Sequence, residues 1–94
     1  MNLLIAFVLT STLNTTSCME LATFAEAVAI DRDNGFSEDQ EEVNVDLQLM
    51  RTHKFTPGAS AISRVIIEKV YNEGAGRVPK QIYKDFFSTC QGNP

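Results

Sequence analysis

Two thiols, one imidazole and a block of carboxylates are the side chains in this 94-residue chain whose types and spacing could do chemistry. Cys18 and Cys90 are its only cysteines, and two cysteines in a short exported chain ordinarily close into a disulfide. Cys18 also follows an apolar leader, a place where a thiol can carry a lipid anchor. Thr15-Thr16-Ser17 lacks the leucine such a site normally has three positions earlier, and lipidation would strand Cys90 as an unpaired thiol. Free thiols are the remaining alternative. His53 is the sole histidine and could hold zinc or work as a base only if cysteines or carboxylates converged on it.

The run Asp31-Arg-Asp33-Asn-Gly35, with Glu42 at the twelfth place, approaches a calcium loop. Its register fails, because the glycine stands at the fifth place instead of the sixth. Asn34-Gly35 then reads as a helix stop, since these residues adopt left-handed backbone readily. Catalytic signatures are missing: no G-x-S-x-G elbow, H-E-x-x-H, phosphate-cradling glycine loop or C-x-x-C occurs. Glu41 and Glu42 point to different faces of a helix within a solvated run, and Tyr71 and Tyr83 sit on apolar stripes that read as packing. The expectation is a non-enzyme with no cofactor and no metal. A small hydrolase, the alternative, would need Tyr, His and carboxylates to meet in a pocket.

Charge narrows the partners. A net charge of -4 and a pI near 4.8 argue against nucleic acid. Nine acidic residues against Arg32 alone lie between Glu20 and Asp46, whereas Arg51 to Lys84 is predominantly basic. The two halves could fold against each other or simply be solvated. The sharper reading is an acidic face, Glu38, Asp39, Glu41, Glu42 and Asp46, that docks on a basic protein partner.

The elements that would position these groups begin after a leader. Leu3 to Leu9 is an apolar core too short to span a bilayer, and Met1 to Ser17 reads as a signal peptide, although its amino end carries no Lys or Arg. An uncleaved leader is the competing reading. A single domain, residues 18–94, would remain, with no membrane span after processing. Glu20 to Asn34 shows a helical stripe of Leu21, Phe24, Ala25, Val28 and Ala29, and Asp31 and Asp33 fall in its last turn, where the helix dipole disfavours them. Ser37-Glu-Asp-Gln40 is a capping box. Val43, Leu47 and Met50 follow at helical spacing, yet Val43, Val45, Leu47 and Leu49 also alternate like a strand; the cap favours helix.

Thr52 to Gly58 connects to a third helix, Pro57 to Glu73, with Ile62, Val65, Ile66, Lys69, Val70 and Tyr71 on its buried side and Ile67 beside them. Pro79 then opens a last helix, whose stripe Ile82, Tyr83, Phe86, Phe87 and Cys90 ends before Gly92. The predicted fold is all-α, a small bundle of about four short helices tied by one terminal disulfide. A Cys18–Cys90 bridge would make the first and last helices antiparallel neighbours.

The frame Cys18, Arg32-Asp-Asn-Gly-Phe-Ser37, Val70-Tyr71, Pro79, Ile82-Tyr83, Phe86 and Cys90 resembles a group of small exported two-cysteine helical proteins of Gram-negative bacteria and their phages or prophages. The resemblance spans nearly all of residues 18–94. It implies export and a disulfide-tied helical fold and supplies no activity; the missing basic residue at the amino end is this chain's departure from it. Together these readings predict a periplasmic or secreted binding protein of inhibitor or immunity type. A membrane-tethered accessory protein, held by lipid on Cys18 or by the leader, is the alternative.

Overall fold

The computed structural model describes residues 15–92 as four helices: α1 Thr15–Asp33, α2 Glu38–Arg51, α3 Pro57–Tyr71 and α4 Pro79–Cys90. The expected leader core, Leu3 to Leu9, lies outside the described residues. α1 begins before Glu20, the predicted start. Its inner face, Cys18, Ala22, Ala25, Val28 and Ala29, is almost fully buried. Three of those five are alanines, which carry little side chain and let another helix approach closely. α4 does so, and α1 against α4 is the most extensive packing in the fold.

Helix ends are set by local chemistry. α1 stops in a Schellman motif: Gly35 N–H donates to the Arg32 carbonyl and Phe36 N–H to the Asp31 carbonyl, with Gly35 at φ 99°. The Asp31–Gly35 run is therefore a helix stop, as its register indicates. At the start of α2, both arms of the capping box are made: Gln40 N–H donates to Ser37 Oγ at 3.1 Å, and Ser37 N–H to Gln40 Oε1 at 2.8 Å. The cap decides between helix and strand for residues 43–49, all of which are helical. α2 ends in a second Schellman motif, in which His53, at φ 58°, takes the left-handed position usually given to glycine. Thr56 caps α3 by accepting from Ala59 N–H at 2.9 Å.

The core joins Ala22, Ala25, Val28 and Ala29 of α1 to Ile66, Ile67 and Val70 of α3 and to Ile82 and Phe86 of α4. Leu21, Phe24, Val45, Ile62, Tyr71, Tyr83 and Phe87 pack around it, partly buried, and Tyr83 and Phe87 stack with ring centroids 6.1 Å apart. α2 contributes least apolar surface. Val43, Leu47 and Met50, its residues at helical spacing, face solvent at 58%, 49% and 52% exposure. α2 is tied to α3 by ion pairs along one edge. Arg64 pairs with Glu42 at 2.8 Å and Asp46 at 2.7 Å and Ser60 donates to Asp46 at 2.8 Å, while Glu41, Val45 and Leu49 face inward, which leaves Val43, Leu47 and Met50 on the solvent side.

Candidate functional site

Cys18 in α1 and Cys90 at the end of α4 form a disulfide with Cα atoms 5.6 Å apart. Both are buried. At the other end of the same pair, Arg32 of α1 reaches the connection leading into α4, so α1 and α4 run antiparallel. They are held at both ends.

The five carboxylates expected to form one acidic docking face are distributed by the fold into three environments. Asp39 is exposed and Glu38 half-buried. Glu42 and Asp46 are drawn onto Arg64, and the hydrogen bond from Ser60, followed by the contact with Arg64, holds the Asp46 carboxyl below its ordinary range. Glu41 departs from the expectation altogether. It is 1% exposed, so it belongs neither to a docking face nor to a solvated run. One turn of helix separates Glu41 from Glu38 and Val45, and the turn at Asn34-Gly35 folds that face of α2 inward over α1.

There Glu41 lies beside Asp31 from the last turn of α1, close enough for the two carboxyls to interact. Burial, then the hydrogen bond and like charge of Asp31, push Glu41 up from 4.5 to about 7, with a hydrogen bond to Asn44 opposing them. Its Oε1 has no hydrogen-bond partner among the described residues. The pair lines a half-open groove of about 340 Å³ between α1 and α2. Tyr71 of α3 lies close enough to be affected: burial and then the charges of Glu41 and Asp31 raise its hydroxyl, which donates to the Phe36 carbonyl at 2.7 Å. The sequence carries one signal of this pair, the unfavourable place of Asp31 at the carboxyl end of α1.

Arg32 stands beside the pair, directed away from it. Its guanidinium donates to the carbonyls of Val70 at 3.2 Å, Gly74 at 2.9 Å and Arg77 at 2.6 Å and also pairs with Asp33 at 3.0 Å. A cation thus sits on the carboxyl end of α3, where the helix dipole favours one.

His53 is exposed and serves the end of α2. Tyr83 packs at the core edge. Among the described residues, no three His, Cys, Asp or Glu side chains converge as a metal site, and no helix is long and apolar enough to cross a membrane.

Among the exposed apolar side chains, three lie together on the outer side of α2. At 100° per residue, Val43, Leu47 and Met50 fall on one stripe, with Asp39 beside it. This is an apolar strip with an acidic border. Compared with known proteins, the chain matches no protein-family model, no curated protein and no solved structure.

Proposed function

We propose that this chain is a small exported, non-enzymatic binding protein of inhibitor or immunity type, which presents the outer side of α2 to a protein partner. The exposure of Val43, Leu47 and Met50 on a single helical stripe carries the reading. Isolated exposed apolar residues are ordinary, but a stripe at positions i, i+4 and i+7 is the pattern used by helices that seat in a partner's groove. Asp39 and Glu38 at its amino end, and a net charge of -4, favour a partner whose apolar patch is bordered by basic residues. The disulfide supports export, since such bonds persist in oxidising compartments. It also gives the helix a rigid platform, which lowers the ordering cost of binding.

The test is crosslinking in the exported fraction with the wild-type chain and with Leu47→Asp/Met50→Asp. The reading requires a crosslinked protein that is lost in the double variant while circular dichroism stays unchanged, and that loosens as salt rises. Identical crosslinks from both chains, or none from either, would overturn it.

A further inference from the structure

The outer side of α2 carries a charge pattern that is complementary to itself. Glu38 and Asp39 stand at its amino end, and Arg51, its last residue, is followed by Lys54 just past the helix. Asp39, Arg51 and Lys54 are exposed and make no ion pair among the described residues. The acids nearer the middle, Glu42 and Asp46, are already matched by Arg64. The surface is therefore acidic at one end and basic at the other, with Val43, Leu47 and Met50 exposed between them.

We propose that α2 pairs antiparallel with the α2 of a second copy of this chain, forming a weak two-fold dimer. The proposal rests on the reading of the stripe as a docking surface and names its occupant, since a second copy supplies an apolar strip with a basic border. The pairs Asp39 with Lys54 and Val43 with Met50 have the same midpoint along the sequence, between Asp46 and Leu47. A two-fold axis there sets Val43 against Met50 of the second copy, Leu47 near its own equivalent, and Asp39 toward the basic end, with each contact made twice. A parallel pairing would instead put acid on acid and align the two helix dipoles. α2 has 14 residues, a length of about 21 Å, and so short a strip buries less than the roughly 1,200 Å² of a stable interface. The dimer is therefore reversible, with a dissociation constant on the order of 100 µM. Below that concentration the stripe stands open to another protein.

The experiment is sedimentation equilibrium of the oxidised full chain from about 10 µM to about 1 mM. The wild type should pass from monomer to dimer within that range, and Leu47→Asp should stay monomeric with an unchanged circular dichroism spectrum. Two charge variants then test the orientation. Asp39→Lys puts lysine at both ends of the stripe and Lys54→Asp puts aspartate at both, so each alone should pair about threefold or more weakly than wild type, whereas their equimolar mixture should recover a mixed dimer. A wild type that is monomeric throughout, an association unaltered by Leu47→Asp, or a mixture that pairs no better than the separate variants would overturn the proposal. A monomeric chain that still crosslinks through the stripe to a protein of different mass in the exported fraction removes this inference alone. A dimer without such crosslinks removes the foreign partner and leaves the self-pairing.

Discussion

The Arg32 guanidinium, in the last turns of α1, hydrogen-bonds the Arg77 carbonyl at 2.6 Å and so joins residues 45 positions apart in the chain. The same side chain takes the carbonyls of Val70 and Gly74. It therefore satisfies the end of α3 and fixes the connection from which α4 returns along α1. Arg32→Met should cost about 2 kcal/mol, because partly buried carbonyls lose charged donors, and urea unfolding measures it. Amide exchange should quicken in residues 74–78 before it does in the α1 core. Lysine should restore only part of the loss, since a compact ammonium cannot span three carbonyls as a planar guanidinium does. Equal stability of Arg32→Met and wild type would show these contacts to be ornamental.

Gly74 lies inside that clasp. A Cβ there would stand 2.6 Å from Ile82 Cδ1 and 2.8 Å from the Val70 carbonyl oxygen. The isoleucine tip can give way, but the carbonyl is held by Arg32. Gly74→Ala should therefore destabilise by about 1–3 kcal/mol through overpacking. Gly76→Ala is the comparison: it meets open space and suffers only for its φ of 82°, at about 1 kcal/mol. Thermal melts that rank the two variants in the opposite order would refute the steric argument.

These long-range contacts mark where the fold could and could not be read from the sequence. Ser37 with Gln40, Asn34-Gly35 and Pro79 act within a few residues of themselves, and each ends or starts a helix where its local chemistry indicates. The Cys18–Cys90 bond was legible because only one pairing exists within the chain. The rotation of α2 was not. Three apolar residues at helical spacing resemble a core face, but α2 packs through Glu41, Val45 and Leu49 with Glu42 and Asp46 tied to Arg64 of another helix, which leaves Val43, Leu47 and Met50 outward. Glu41 was hidden for a related reason, because a carboxylate inside an acidic run reads as solvated until the partner helix covering it is known.

The disulfide closes a sequence separation of 72 residues. In the chain-entropy account, a loop of that length restricts the unfolded state by about 4 kcal/mol, a large share of the roughly 5–15 kcal/mol that holds a domain together. Adding reductant, or replacing both cysteines as Cys18→Ala/Cys90→Ala, should move the urea midpoint strongly downward. Helix content by circular dichroism should fall with it under conditions in which the oxidised chain stays folded. A midpoint indifferent to reductant would mean that the packing of α1 on α4 suffices without the bond.

Stability should decline as pH rises from about 4.5 to about 7, and Glu41 is the reason. Its carboxyl is raised from 4.5 to about 7 by burial and by Asp31, so the folded chain keeps a proton that the unfolded chain releases. Below about 4.5 both states are protonated and the folded state has its full stability. Between the two values the unfolded state alone gains by ionising, and stability falls by on the order of 3 kcal/mol before levelling off above the folded value. Asp46 and Asp85 act in the opposite sense, being held below their ordinary 3.8. Bonds from Arg77 and Gln81 outweigh the burial that pushes Asp85 up. Their contribution is lost only as pH drops into the more acidic range, outside the Glu41 window. Urea unfolding at a series of pH values should show the decline in the wild type, and Glu41→Gln should flatten it, leaving that variant more stable than wild type at pH above the Glu41 midpoint. Glu42→Gln, which touches only the exposed contact with Arg64, should leave the slope in place. A wild-type stability that holds level or climbs across this window would mean that Glu41 is not kept neutral by the fold.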